Sequence, residues 1–303
     1  FYADQVVIAR TLFGLADAHA ALGDPWKAKE LFQRVLQIQE LDASKDVIAI
    51  TATLEHLARV LLAVGEPGGA LPLLERALKL KEGGFGPEHA EVATTLNSLA
   101  VTCTSLRRYA MSRDHAERAL RIQERVRGPK HYEVAAVLGS LANAVGGLGD
   151  GLRKKELLQR ALRIKEREYG AEHVEVAVTL TNLANAVGAL GDLERKKEFL
   201  ERALSIWEEA YGAEDIETAA ARSNLACACA SLGEAYRAAQ LLTRALEAQE
   251  RFLGPSHAVV GRTLSSLGSV LSAMGRHRDA HGLIERALEI KEKEYGAEHL
   301  EVA

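Results

Sequence analysis

Hydrophobic residues recur at helical spacing along the whole chain, in segments of about twenty residues separated by short glycine-containing turns. In one segment Val92, Leu96 and Leu99 follow the i, i+4, i+7 pattern of an amphipathic helix, and Leu158 and Ala161 lie on the same kind of stripe in another. No segment alternates between polar and apolar residues as a half-buried strand would. The pattern therefore predicts an all-α protein.

Two glycine series punctuate the chain with a period of 42 residues. The first is followed three residues later by histidine or aspartate, at Gly86/His89, Gly128/His131, Gly170/His173, Gly212/Asp215, Gly254/His257 and Gly296/His299. The second lies between them, at Gly23, Gly65, Gly149, Gly191, Gly233 and Gly275, with Arg107 in the remaining position. Glycine can take the left-handed conformation that ends a helix, and the polar residue after it suits the next helix N-terminus. Each period therefore holds two helices.

The period divides the chain into seven helix-turn-helix repeats and the start of an eighth. Their expected bounds are 1–42, 43–84, 85–126, 127–168, 169–210, 211–252 and 253–294, with 295–303 as a partial repeat. One helix pair cannot bury its apolar stripe alone, so the repeats must stack into a single solenoid over 1–303. Because the chain begins without Met and ends within a repeat, we expect it to be a fragment of a longer protein.

Small residues occupy fixed columns next to leucine, as in the phrase LNSLA of the first helix and ERALRIQE of the second. Together with YGAEHVEVA, these phrases resemble the tetratricopeptide repeat, in the 42-residue form of kinesin light chains. The resemblance implies a right-handed superhelical α-solenoid whose first helices line a concave groove for a peptide or partner protein. HEAT and armadillo repeats share this range of periods, but their proline-kinked or three-helix repeats are not evident.

Three residues depart from the resembled pattern. Lys154 and Lys196 stand where a small residue is usual, and we expect their stems to lie over the helix crossing with the ammonium in water. Arg222 stands in a column that is otherwise leucine, and a buried unpaired charge would be costly. Arg222 must therefore turn out to solvent or find a carboxylate.

Asparagines mark the expected groove in the central repeats. Asn182 follows Asn143, and Asn224 follows Asn185, each in the next repeat, one turn back and one residue displaced. An amide can pair with the main chain of an extended peptide whatever the peptide's side chains are, since it carries donors and an acceptor. The full candidate peptide site is Asn143, Asn182, Asn185, Asn224, Thr181, Ser223 and Arg262, in columns otherwise lined by small residues. The alternative is that the amides pair with one another and fix the register of the stack.

The charge is distributed unevenly between two neighbouring repeats. The net charge of -4, with 26% charged residues, gives no basic footprint for nucleic acid, but repeat 127–168 carries +4 and repeat 169–210 carries -4. The basic excess includes a possible outer patch for an acidic partner at Arg153, Lys154, Lys155 and Arg160. The alternative is a solvated face that fixes the stacking order.

The chain offers little for chemistry. It lacks a nucleophile elbow, an HExxH motif and a phosphate loop, so we expect no enzyme activity, catalytic residue or cofactor. The histidines of the repeat column are one repeat apart and indicate helix caps, and His277 with His281 lacks a third ligand, so no metal is expected. Cys103, Cys227 and Cys229 indicate packing residues of a reducing, cytoplasmic compartment, and no membrane span is predicted.

The sequence thus favours a non-enzymatic scaffold or adaptor that binds a protein or extended peptide in its groove. The alternative is a regulatory or spacer array of a larger multidomain protein, used for self-association or for control of an attached enzyme domain. An enzyme in its own right would need a clustered acid–base pair, and none is visible. The sequence leaves the oligomeric state open.

Overall fold

The computed structural model describes the backbone of residues 2–41 and 46–295. Within these residues the chain forms fourteen α-helices and no strand, which confirms the all-α prediction and the two helices per repeat. The helices are α1 Tyr2–Ala21, α2 Pro25–Leu41, α3 Val47–Ala63, α4 Pro67–Phe85, α5 Ala90–Ser105, α6 Tyr109–Arg127, α7 Tyr132–Gly147, α8 Gly151–Tyr169, α9 Val174–Ala189, α10 Leu193–Tyr211, α11 Ile216–Ser231, α12 Ala235–Leu253, α13 Ala258–Ala273 and α14 His277–Tyr295. Residues 296–303 of the predicted eighth repeat lie outside the described residues.

The repeated histidines begin the first helices, as the sequence indicates. His89, His131, His173 and His257 are N-cap residues, and the Nδ1 atom of each accepts a hydrogen bond from the backbone N–H two residues later. Asp215 makes the same cap with a carboxylate oxygen. Each cap satisfies one of the N–H groups that a helix N-terminus leaves unpaired. The column is therefore structural, and His299 lies outside the described residues.

The turns between helices depend on left-handed backbone. The glycines of both described series have φ between 76° and 90°, a region that glycine enters without steric cost. Arg107, which takes the place of a glycine, has φ of 57° and is the non-glycine residue with positive φ in the described chain. Arginine there carries the strain that glycine avoids.

The small columns lie where helices cross. Ala58, Ala100 and Ala142 of the first helices and Ala119 and Ala161 of the second helices are at most 1% exposed. Leucines beside them fill the space between pairs, so that successive helices bury one another's apolar stripes. This arrangement repeats in later helices, where Ala184 and Ala226 pack in one cluster with Leu225.

The described chain divides into two compact bodies, an N-terminal body, Phe1–Ile164, and a C-terminal body, Lys165–Ala303. Each body is a stack of helices in the order of the sequence. The division falls within α8.

Candidate functional site

The first helix of each repeat leaves one face in solvent, named here the first-helix face. In α9 it is formed by Val178, Thr181, Asn185, Gly188 and Ala189, and in α11 by Ala220, Ser223, Asn224, Cys227 and Ala230. Arg262, Ser265 and Ser269 continue it in α13. The opposite sides of these helices are buried. The columns that the sequence assigns to a ligand surface thus face solvent.

The four candidate asparagines differ in exposure and location. Asn185 and Asn224 are exposed in the C-terminal body, Asn182 is half-buried there, and Asn143 is exposed in the N-terminal body. Among the described residues, no hydrogen bond joins Asn185 to Asn224, and neither amide bonds to another group of its body. Both amides of this pair therefore keep their full hydrogen-bonding capacity.

Hydroxyl groups on the first-helix face of the C-terminal body use their donors internally. Thr181 donates to the carbonyl of Ala177 (3.0 Å), and Ser223 donates to that of Ala219 (3.1 Å). The Ser269 hydroxyl donates in the same way to Ser265 (2.9 Å). A hydroxyl bound to its own helix offers only lone pairs to solvent. This surface consequently presents acceptors from hydroxyls, and donors from the asparagines and Arg262.

Three inward glycines, Gly146, Gly147 and Gly188, are covered by side chains, contrary to the expectation of a surface lined only by small residues, whereas Gly139 is open. A Cβ placed on Gly146 would lie 2.6 Å from Cδ of Lys154, and one on Gly188 would lie 2.5 Å from Cδ of Lys196. A Cβ on Gly147 would overlap the ring of Tyr109. These glycines make room for a neighbouring side chain. The prediction that the two lysine stems lie over the helix crossing is confirmed.

A ladder of ion pairs joins successive second helices. Arginines of one column bind glutamates 36 residues earlier, and Arg118, Arg160, Arg202 and Arg286 also donate to a carbonyl in the turn 31 residues earlier. The described rungs are Arg76–Glu40, Arg118–Glu82, Arg160–Glu124, Arg202–Glu166 and Arg286–Glu250. Every rung connects neighbouring repeats, and partly exposed pairs of this kind contribute about 0–1 kcal/mol each.

Two residues of the proposed outer basic patch belong to such pairs. Arg160 binds Glu124 (2.5 Å) and the carbonyl of Pro129, while Arg153 binds Glu117 (2.7 Å). Lys154 covers Gly146, and Lys155 is half-buried. The positive charge of the patch is thus partly balanced within the N-terminal body.

Arg222 forms an ion pair where the ladder lacks one. It is 3% exposed, and its guanidinium binds Glu208 (2.7 Å) and the carbonyl of Ala213 (2.5 Å). These two groups lie 36 and 31 residues before Arg244. By the spacing of the other ion pairs in the ladder, they are the groups that Arg244 would be expected to bind. Within residues 2–41 and 46–295, Arg244 is exposed and has no hydrogen bond or ion pair. Of the two outcomes expected for Arg222, the carboxylate partner is the one observed.

The three cysteines differ in exposure. Cys103 and Cys229 are buried, as packing residues should be, but Cys227 is exposed on the first-helix face, so the packing interpretation is wrong for it. Burial raises the pKa of the Cys103 and Cys229 thiols.

No group of three or more His, Cys, Asp or Glu within the described residues could hold a metal ion. No helix of that part of the chain is long and apolar enough to cross a membrane.

A cavity of about 340 Å³ lies on the first-helix face of the N-terminal body, between α3 and α5. It is lined by Glu55, His56, Ala58, Arg59, Leu62, Leu74, Thr94, Asn97, Ser98 and Val101. The sequence reasoning did not assign a site here. The signal was present, however, because Glu55 and Asn97 stand in the same repeat column as Thr181 and Ser223.

Sequence models of the family described as "Tetratricopeptide repeat" match most of the chain. The matched residues are 9–40, 49–124, 92–150, 134–175, 176–217, 197–250 and 228–293. No curated protein sequence matches the chain significantly.

Solved structures of repeat proteins are similar to the chain. A kinesin light chain-like protein of Podosopora anserina with nearly identical repeats is 23% identical, with a TM-score of 0.61, over 69% of this chain and 99% of that one. BtubC (BKLC) of P. vanneervenii is 22% identical, with a TM-score of 0.62, over 74% and 88% of the two chains. A Pyrococcus horikoshii signal transduction ATPase with numerous domains and a tetratricopeptide repeat sensor is 13% identical, with a TM-score of 0.66, over 95% of this chain and 42% of that one. At these identities the likeness concerns the fold.

Proposed function

Because the chain belongs to the tetratricopeptide repeat family, whose repeats generally mediate protein–protein interactions, we propose that it is a non-enzymatic scaffold that binds an extended peptide of a partner protein. The binding surface is the first-helix face, with Asn182, Asn185 and Asn224 as its main contacts in the C-terminal body. Asn143 has the same role in the N-terminal body.

The observation that carries the proposal is the unused hydrogen-bonding capacity of Asn185 and Asn224. If the exposed amides bonded to each other, they would fix the register of neighbouring repeats. These two, however, make no hydrogen bond within the described part of their body. A peptide main chain offers alternating N–H and C=O groups, which an amide can pair with bidentately. Thr181 adds lone pairs that accept from further N–H groups, and Ser223 adds one besides the lone pair that accepts from Gln249 Nε2 (3.4 Å).

The polar groups of this surface favour a ligand that is recognised through its main-chain N–H and C=O groups. Arg262 is the exposed cation of the candidate set, and one guanidinium cannot form the multiple clamp that a carboxylate-ended ligand needs. A peptide therefore gains most of its affinity from hydrogen bonds that do not depend on its own side chains.

Peptides selected from a random display library against the intact chain test this proposal. The affinity for the selected peptides should fall by about two- to tenfold per lost hydrogen bond when four residues are changed together to Ala: Asn143, Asn182, Asn185 and Asn224. Gln33→Ala with Gln240→Ala removes two exposed amides from second helices and is the matched control. Unchanged affinity in the asparagine variant, with helicity retained by circular dichroism, would refute the site.

The second candidate is a regulatory or spacer array within a larger protein. Its support is the likeness to the P. horikoshii protein, in which a repeat array is part of a longer ATPase chain. A dimer that forms in a concentration series by light scattering, together with loss of peptide binding, would favour this candidate.

A further inference from the structure

The cavity between α3 and α5 has the size of a small ligand site. Its volume of about 340 Å³ is at the lower end of the range of roughly 300–1,000 Å³ found for ligand pockets. Leu62, Leu74 and Val101 supply an apolar part that suits the methylene stem of a long side chain. The remaining wall is polar and lies wholly within the N-terminal body.

The polar wall consists mainly of hydrogen-bond acceptors. Thr94 donates its hydroxyl to the carbonyl of Ala90 (3.3 Å), and Ser98 donates to that of Thr94 (3.3 Å), so both hydroxyls face the cavity with lone pairs only. The Oδ1 atom of Asn97 is buried and has no hydrogen-bond partner among the described residues. An unpaired buried acceptor is costly, but Oδ1 is closed to solvent, so a donor in the cavity reaches it only when the Asn97 side chain rotates.

Glu55 and Arg59 line the cavity, and together with the groups they pair with, Lys81, Glu91 and Asp17, they carry one net negative charge. Lys81 is 5% exposed, and its ammonium binds both oxygens of Glu55 (2.8 and 3.0 Å) and one of Glu91 (3.0 Å). On the other side, Arg59 pairs with Asp17 (3.2 Å). Three carboxylates thus face two cations.

His56 adds no positive charge to this balance near neutral pH. Its Nδ1 atom accepts a hydrogen bond from Arg59 (2.9 Å) and lies 3.2 Å from the Asp17 carboxylate. Burial, followed by the Arg59 guanidinium, lowers the pKa of His56 below its ordinary value of 6.5, against the smaller opposing effects of Asp17 and Glu55. The imidazole is therefore mainly neutral at neutral pH and leaves the one net negative charge of these groups unchanged.

We propose that this cavity binds a basic side chain, lysine or arginine, of the bound protein or peptide. The acceptors take the N–H groups, the negative charge attracts the cation, and the apolar residues contact the stem. The inference rests on the proposed function, since it names the chemistry of one residue in the ligand.

Blocked tripeptides with the sequence Ala-X-Ala, where X is Lys, Gln or Glu, provide the probes for nuclear magnetic resonance titrations of the intact chain. The Lys peptide should shift the signals of Thr94 and Asn97 saturably and bind at least tenfold more tightly than the Glu peptide, with the Gln peptide between them. Equal affinities for the three peptides, or no saturable shift with the Lys peptide, would overturn the proposal.

Two substitutions separate charge from structure. Thr94→Arg places a cation at the cavity, and the same repeat column already carries arginine at Arg10 and Arg262, so the helix should tolerate it. This variant should lower the affinity for the Lys peptide more than tenfold. The control Gln33→Arg adds the same charge at an exposed position of α2 outside the cavity and should change that affinity little. Wild-type binding by a folded Thr94→Arg variant would contradict the proposal. If the cavity fails this test while the asparagine variant still loses its selected peptides, the proposed function stands without the cavity.

Discussion

Replacing Arg222 with leucine should stabilise the C-terminal body. Leucine is the residue of this column in the other repeats, and Leu96, Leu138 and Leu180 are completely buried there. The substitution removes a buried guanidinium and frees Glu208 and the carbonyl of Ala213. Arg244 can then bind both groups, as Arg202 binds Glu166 and the carbonyl of Ala171.

The expected gain is about 1–3 kcal/mol in the free energy of unfolding. Replacing a buried ion pair by a well-packed apolar residue is neutral to about 4 kcal/mol stabilising, and burial of leucine contributes roughly 1.5–3 kcal/mol. The lost pair is worth less than a fully buried one because Glu208 is 41% exposed. The new Arg244–Glu208 pair adds about 0.2–1 kcal/mol.

Urea unfolding followed by Trp207 fluorescence in a Trp26→Phe background measures this gain. Trp207 lies in α10 of the C-terminal body, so it reports the local stability of a stack whose repeats need not unfold together. With a slope of about 2 kcal/mol/M, a gain of 2 kcal/mol moves the midpoint up by about 1 M urea. Arg244→Ala should be nearly neutral in the natural chain and destabilising in the Arg222→Leu chain. A lower midpoint for Arg222→Leu, or the same effect of Arg244→Ala in both chains, would refute the reasoning.

Three further predictions concern the N-terminal body. Arg107→Gly should raise its stability by about 1 kcal/mol, since glycine removes the left-handed strain, and a lower urea midpoint by Trp26 fluorescence would disprove this. Lys81→Met should cost about 2–3 kcal/mol in the same assay, because Glu55 and Glu91 lose their shared cation, and an unchanged midpoint would show that the pair is not stabilising. Because the pKa of His56 is lowered by folding, its contribution is complete above pH 6.5 and is lost as the pH falls below that value. The stability difference between the natural chain and His56→Gln should therefore shrink between pH 7.5 and pH 5, and a constant difference would contradict the assignment.

The sequence was sufficient for the helix pairs and their ends because the same signals recur every 42 residues. His131 and Gly149 can be assigned as cap and turn from their columns alone, since the chemistry of a helix terminus is local. The partners of Arg222 could not be assigned, because Glu208 and Ala213 lie close to it only when the repeats pack. The full register of the arginine ladder is needed to see that Arg244 has been displaced.

The candidate site was predicted less completely than the fold. The repeat columns place Asn185 and Asn224 on the exposed face of their helices, but they do not say whether two amides meet or remain apart. The cavity beside Asn97 was not assigned because it lies between α3 and α5 of neighbouring repeats, and the charge around it depends on the pairing of Lys81 with Glu55 and Glu91. Sequence columns give the face of a helix, and packing decides which polar groups on it remain unpaired.

The central claim is that the asparagines bind the main chain of a peptide. Isothermal titration of a selected peptide and of its backbone N-methylated versions, against the natural chain and the variant with Asn143, Asn182, Asn185 and Asn224 changed to Ala, tests it most directly. N-methylation at contacting positions should weaken binding to the natural chain by about two- to tenfold for each hydrogen bond and should have little further effect on the variant. Equal losses on both chains would contradict the claim.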